Sequence, residues 1–118
     1  MPELIAQLSK INRYHTELFS KYLGKLRATQ DGDGSLLDHM TILYGSGISN
    51  STHHSGDNLP ILVMGGACGK IQGGRHLTYA DKPSQANLLV TLMDKMGFPV
   101  ERFGGSTGML PLDTLSGV

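Results

Sequence analysis

The stretch that most constrains the fold is residues 40–66, where two apolar runs enclose a long polar loop. Residues 40–44, Met-Thr-Ile-Leu-Tyr, are β-branched and apolar enough for a buried strand, and residues 60–64 read Pro-Ile-Leu-Val-Met without alternation. A strand that is apolar at every position needs cover on both faces, which is typical of parallel strands in α/β sheets. The pattern therefore predicts an α/β protein in which a small mixed sheet is packed with two main helices.

The first helix is predicted from Glu3 to about Ala28, because apolar side chains recur there three or four residues apart. The positions on this face are Leu4, Leu8, Ile11, Leu18, Tyr22 and Leu26. His15 lies on the same face, and we expect it to be a partly buried structural histidine. The near-heptad spacing would also suit a helix pair, but we expect this helix to pack on the sheet.

The second helix is predicted from about Ser84 to Met96, with Asp81 or Ser84 as its N-cap and Gly97 at its end. Residues 70–79 predict a short hairpin, and residues 103–118 predict a tail that packs or wraps without a regular element. We expect one domain for the whole chain. Its segments are a helix in 1–29, strands and the polar loop in 30–82, a helix in 83–97 and a tail in 98–118.

Residues 31–35, Asp-Gly-Asp-Gly-Ser, resemble the first half of a calcium-binding EF-hand loop. Counting from Asp31, position twelve is Ile42 rather than the glutamate that completes such a site, and a strand-like run follows instead of a helix. We therefore predict a turn that joins the first helix to the first strand.

Charge and cysteine content limit the partners. Ten Lys and Arg residues balance ten Asp and Glu residues in the 118-residue chain, so neither nucleic acid nor a membrane surface is an expected partner. A net charge near zero favours self-association. Cys68 is the single cysteine, which rules out a disulfide within the chain. We see neither a signal-peptide pattern nor a membrane span, and we expect a soluble protein. The sequence does not determine its cellular compartment.

The loop at residues 45–59 carries the candidate chemistry. His53, His54 and Asp57 are suitable ligands for a divalent metal such as zinc or manganese, and His39 and His76 lie near strand ends from which they could join. The alternative is a polar surface loop, because the spacing matches no fixed metal motif. Dinucleotide, P-loop and nucleophile-elbow patterns are missing, so no catalytic residue is predicted.

Five segments together resemble the C-terminal end of the bacterial HXXSHH family, which belongs to the alkaline-phosphatase-like superfamily. They are Asp31-Gly-Asp-Gly-Ser-Leu-Leu-Asp38, Leu43-Tyr-Gly-Ser-Gly47, Asp57-Asn-Leu-Pro60, Gly73-Gly-Arg-His76 and Gly104-Gly-Ser-Thr-Gly108. The resemblance implies the C-terminal part of a phosphatase- or sulfatase-like fold, about the last third of a full-length member. The superfamily's metal-binding Asp-His pair would follow Tyr44, where this chain has Gly45-Ser46-Gly47.

Two functions follow as hypotheses. The favoured one is a module that is not catalytic alone and assembles into a homo-oligomer, expected to be a dimer. A fully apolar strand in so small a chain needs cover from a second copy or from a missing half of a larger protein. The alternative is a metal-dependent phosphate or sulfate ester hydrolase. It would use the His53/His54 loop with Asp57 as a further ligand, while Ser46 and Asn58 would bind the anion.

Overall fold

The computed structural model describes residues 1–50 and 52–112, and the chain forms two compact units, Met1–His39 and Met40–Val118. In the described residues, regular structure consists of helices, short 3-10 turns and two antiparallel strand pairs. The chain is therefore a small α/β protein. None of its described helices has the length and apolar character needed to span a membrane.

In the first unit, helix α1 covers Pro2–Ala28, which confirms the predicted helix. A proline at the start suits the first turn because its missing N–H has no partner there in any helix. Glu3 lies in the first turn, and Lys25 and Arg27 lie in the last, so these charges complement the helix dipole at both ends.

After α1 the chain makes a small hairpin and a turn. Strands β1, Gln30–Asp31, and β2, Gly34–Ser35, pair antiparallel, and a 3-10 helix follows at Leu37–His39. The predicted turn is confirmed, in the form of this hairpin. Within the unit, α1 contacts β2 and the 3-10 helix.

Ser35 and Asp38 cap the 3-10 helix reciprocally. The Ser35 N–H donates to Asp38 Oδ2 at 2.8 Å, and the Asp38 N–H donates to Ser35 Oγ at 3.2 Å. The backbone hydrogen bond from Ser35 lowers the pKa of Asp38 below its ordinary value, because it favours the ionised carboxylate. The pair thus closes the turn with charge-assisted bonding.

Most of the apolar face of α1 is exposed. Leu26 is the one buried residue of the helix. Five large apolar side chains on the predicted face remain 44–56% exposed, and we call them the exposed stripe: Leu4, Leu8, Ile11, Leu18 and Tyr22. His15 is exposed too, so the expectation that it would be partly buried is wrong.

In the second unit, strand β3, Ile42–Gly45, pairs with β4, Ile61–Met64, as an antiparallel hairpin. The register places Ile42 opposite Met64 and Gly45 opposite Ile61. The predicted parallel strand and mixed sheet are therefore wrong for the described residues. Ile61 and Val63 pack against the core, whereas Leu62, between them, is 54% exposed.

Helix α2, Gln85–Lys95, and the tail together supply the buried core of this unit. Ser84 is its N-cap, accepting from the Ala86 N–H at 3.1 Å, and Gly97 follows its end with a φ of 81°. Four buried leucines form the core, with side chains of β3 and β4 packed against them: Leu88, Leu92, Leu110 and Leu112. The second helix is confirmed, with Ser84 rather than Asp81 as the cap.

Residues 70–79 form no strand pair, so the predicted hairpin there is wrong. Side chains tie this segment to the tail instead. The Tyr79 hydroxyl donates to the Pro111 carbonyl at 2.6 Å, and the Arg75 guanidinium donates to the Leu112 carbonyl. The tail therefore packs as expected through Leu112, and the rest of its predicted course, 113–118, lies outside the described residues.

Candidate functional site

The polar loop between β3 and β4 is held by hydrogen bonds of its own. The Ser49 N–H donates to the Ser55 carbonyl at 2.8 Å, and the Ser55 N–H donates to the Asn50 carbonyl at 3.2 Å. These bonds form an isolated antiparallel bridge that narrows the loop beyond the strand pair. The Asn50 side-chain oxygen then accepts from the N–H groups of Thr52 and His53, at 3.0 and 3.3 Å, as in an Asx turn.

This bridge and Asx turn place His53 and His54 at an exposed tip. Both imidazoles belong to exposed residues, and His54 has a φ of 50°, an uncommon backbone conformation for a residue with a Cβ atom. The strand-loop-strand arrangement predicted from the sequence is confirmed here. The two adjacent histidines lie at the end of the loop farthest along the chain from both strands.

Of the two proposed anion-binding residues, Ser46 has a local structural role. The Ser46 hydroxyl donates to the Ile48 carbonyl at 2.8 Å and accepts from the Ile48 N–H at 3.2 Å, which closes a tight turn directly after β3. Asn58 is exposed and has a φ of 53°. Asp57 is exposed as well, and its backbone N–H donates to Ser55 Oγ at 3.3 Å. Because the Ser46 hydroxyl already donates its proton to the Ile48 carbonyl, it has no second proton to donate to an anion.

Within residues 1–50 and 52–112, no group of three or more His, Cys, Asp or Glu side chains is placed to hold a metal ion. His53, His54 and Asp57 are therefore neighbours in sequence that do not converge as a set of three ligands. His76 is exposed within the irregular segment that precedes α2.

His39 has a different role from the one considered for it. Its Nδ1 lies 2.8 Å from Asp31 Oδ2, and its Nε2 lies 3.1 Å from Asp33 Oδ1. The hydrogen bond with Asp31 raises the pKa of His39 above its ordinary value. Both ring nitrogens can donate only in the imidazolium form, so the contacts with Asp31 and Asp33 favour the protonated ring. We call this arrangement over the β1–β2 turn the clasp.

Beside α2 there is an open groove of about 400 Å³ that sequence reasoning did not find. Its lining includes Tyr79, Asn87 and Pro111. The Tyr79 hydroxyl is bonded to the Pro111 carbonyl, and the Asn87 amide is bonded to Thr107. The polar groups of these two residues therefore serve to hold the tail.

Comparison with models of known protein families, with curated proteins and with solved structures finds no match to this chain. Two surfaces of the described chain are candidates for function. The loop tip presents two imidazoles in water, and α1 presents the exposed stripe. The stripe is the feature that an ordinary water-exposed helix does not have, because such a helix is polar on its outward faces.

Proposed function

We propose that this chain is a non-catalytic module that assembles with further copies of itself, and that the exposed stripe of α1 is the surface that drives assembly. The single observation that carries the proposal is the exposure of five large apolar side chains along one line of one helix. The sequence segments that resemble the C-terminal end of the HXXSHH family support a further proposal. The module would then correspond to part of an alkaline-phosphatase-like protein rather than to its catalytic part.

The energetic reason for assembly is the cost of leaving the stripe in water. Burial of apolar surface contributes about 25 cal/mol per Å² removed from water. Monomeric soluble proteins seldom expose contiguous apolar patches beyond a few hundred Å². From Leu4 to Tyr22 the stripe covers eighteen residue steps of α1, or about 27 Å, so it extends well beyond a scattered pair of surface leucines.

The polar face of α1 agrees with this proposal. Arg13 and Glu17 form an ion pair at 2.9 Å, four residues apart, and both are largely exposed. Such a pair belongs on the water-facing side of a helix. One side of α1 therefore carries charged side chains that suit contact with water, while the other side carries the exposed stripe.

The alternative function is a metal-dependent ester hydrolase, and it predicts a different result in a direct assay. Purified protein is incubated with zinc or manganese and an aryl phosphate or an aryl sulfate. We expect no hydrolysis above the rate of a His53→Ala/His54→Ala variant. Turnover that the double substitution abolishes would establish the hydrolase and overturn the non-catalytic part of the proposal.

Self-association is tested by light scattering at micromolar to millimolar concentration. We expect a molar mass that rises with concentration toward twice the 12.7 kDa of one chain. A mass that stays at one chain throughout this range contradicts assembly.

Metal content by elemental analysis, together with a thermal-shift titration, gives an independent check on the loop. A shift lost in the double alanine variant would assign the metal to the two histidines.

A further inference from the structure

We infer that α1 pairs with α1 of a second copy as an antiparallel two-helix coiled coil. This inference rests on the proposed self-association and specifies its geometry. The exposed stripe has the spacing of a coiled-coil seam. Leu4, Leu8, Ile11, Leu18 and Tyr22 alternate in steps of four and three once His15 is included. This is the 3.5-residue repeat of a coiled-coil seam, in which alternate positions are the a and d positions of a heptad.

The seam positions extend over most of the helix. In this register Leu8, His15 and Tyr22 occupy a positions, and Leu4, Ile11, Leu18 and Lys25 occupy d positions. His15 and Lys25 are the polar members, and both are exposed. All seven lie within α1, which is unbroken over Pro2–Ala28. About three and a half heptads are thus available for pairing, a length at which apolar a and d repeats favour a coiled coil.

The outer positions of the same register carry small or polar side chains. Ala6, Arg13, Ser20 and Arg27 fall at the f positions, which point away from a partner helix. The Arg13–Glu17 ion pair lies on this outer side. The register therefore separates an apolar seam from a water-facing back.

The partner is a second copy because the seam complements itself when it is reversed. In the antiparallel alignment that matches a with d positions, Leu8 lies opposite the partner's Leu18, and Leu4 lies opposite the partner's Tyr22. His15 lies opposite the partner's Ile11. Every apolar member of the exposed stripe but Ile11 thus meets another apolar member. A two-fold axis repeats each contact, as a homodimer interface requires.

Charge decides the direction of the two helices. A parallel pair would place Lys25 against the partner's Lys25 and His15 against the partner's His15, since identical positions share a layer. The antiparallel pair separates them. It brings Lys25, in the last turn, beside the partner's first turn, which holds Glu3. Opposite charges and opposed helix dipoles both favour this direction.

Cysteine cross-linking tests the direction. All variants carry Cys68→Ser, because the native cysteine is exposed and would react. A disulfide requires Cα atoms within about 7 Å. In the antiparallel pair, Leu4 and the partner's Leu4 are eighteen residues apart along the axis, or about 27 Å. We therefore expect Leu4→Cys alone to give no cross-link. A mixture of Leu4→Cys with Tyr22→Cys should give the mixed disulfide.

Spin labels on the outer side give the same answer without altering the seam. Labels at Ala6→Cys and at Arg13→Cys occupy equivalent f positions. In the antiparallel pair the two labels at position 6 are offset along the axis by about 21 Å, and those at position 13 by none. We expect the distance between partners to be clearly longer at position 6. A parallel pair predicts equal distances at both positions.

The outcomes separate this inference from the proposed function. A Leu4→Cys homodisulfide or equal label distances would show a parallel pair and overturn the antiparallel geometry. A dimer by light scattering with neither cross-link nor label coupling would place the interface elsewhere, which overturns the α1 pairing and leaves self-association standing. A monomer at all concentrations overturns both.

Discussion

Thr91 binds both backbone polar groups of Leu110. Its hydroxyl donates to the Leu110 carbonyl at 2.8 Å and accepts from the Leu110 N–H at 2.7 Å. Thr91 is 3% exposed, so these bonds form away from water. The contact fixes a tail residue onto α2, and with it one of the four leucines that form the core.

Replacing Thr91 by valine tests the importance of this contact. The substitution keeps the shape and removes the hydroxyl, which leaves the Leu110 carbonyl without this donor in a buried place. We expect the free energy of unfolding to fall by about 1–3 kcal/mol, measured by urea denaturation. The matched control is Thr16→Val in exposed α1, where a change within about 0.5 kcal/mol is expected. Equal effects at the two sites would show that the buried bonds contribute little.

Two glycines are predicted to respond to alanine in opposite directions. Gly24 lies within α1, and an added Cβ would meet nothing within 4 Å, so alanine should stabilise the helix by about 0.5–1 kcal/mol. At Gly45, an added Cβ would lie 2.7 Å from the Pro60 carbonyl oxygen, which is too close. Gly45→Ala should therefore lower the melting temperature and Gly24→Ala raise it. Similar shifts in the same direction would contradict the packing described for β3.

The clasp of His39 predicts a pH dependence. Its pKa is raised in the folded chain, chiefly by the hydrogen bond with Asp31. The stabilisation is therefore fully present below the unfolded pKa of about 6.5 and is lost as the pH rises through the folded pKa. An NMR titration of the imidazole should give a midpoint above the ordinary value. Asp31→Asn should lower that midpoint, and an unchanged midpoint in this variant would rule out the clasp.

His15 is the polar side chain in the middle of the proposed α1 seam. His15→Leu would place an apolar side chain opposite the partner's Ile11 and remove two imidazoles from the interface. We expect the dimer dissociation constant to fall by about tenfold or more, which corresponds to about 1.4 kcal/mol per factor of ten. His53→Leu at the loop tip is the control and should leave the constant unchanged. If both variants tighten the dimer equally, added hydrophobicity rather than the seam is responsible.

Sequence patterns correctly predict the features that depend on residues close together in the chain. Both helices follow from apolar spacing, and the Ser84 cap and Gly97 end follow from residue types that suit those positions. The loop between β3 and β4 was also predicted, because polar residues there separate two apolar runs. These features depend on neighbours within a few residues.

The structure differs from the sequence-based expectation where contacts between residues far apart in the chain determine the fold. Residues 60–64 predicted a parallel strand buried on both faces, yet β4 pairs with β3 and leaves Leu62 exposed. A short apolar run does not reveal how many neighbours will cover it. The roles of Leu110 and Leu112 in the core were missed because their glycine-rich tail has no periodicity. Its position depends on contacts with α2, twenty residues away.

The candidate site illustrates the same limit. Adjacent His53 and His54 predicted a metal site because their side chains are good ligands. Their exposure depends on the Asn50–Ser55 bridge, which no ligand motif encodes. The clasp of His39 on Asp31 and Asp33 was hidden for a related reason, since it requires the β1–β2 hairpin to bring residues eight apart together.

The central claim is that the exposed stripe of α1 mediates self-association, and sedimentation velocity of a charge-substituted variant tests it most directly. Leu8→Glu/Leu18→Glu would place four carboxylates in two facing layers of the seam. Ser9→Glu/Ser20→Glu adds the same charge on exposed positions outside it. We predict that the leucine variant sediments as a monomer at concentrations where the wild-type protein and the serine variant are dimers. A leucine variant that remains dimeric would contradict the account.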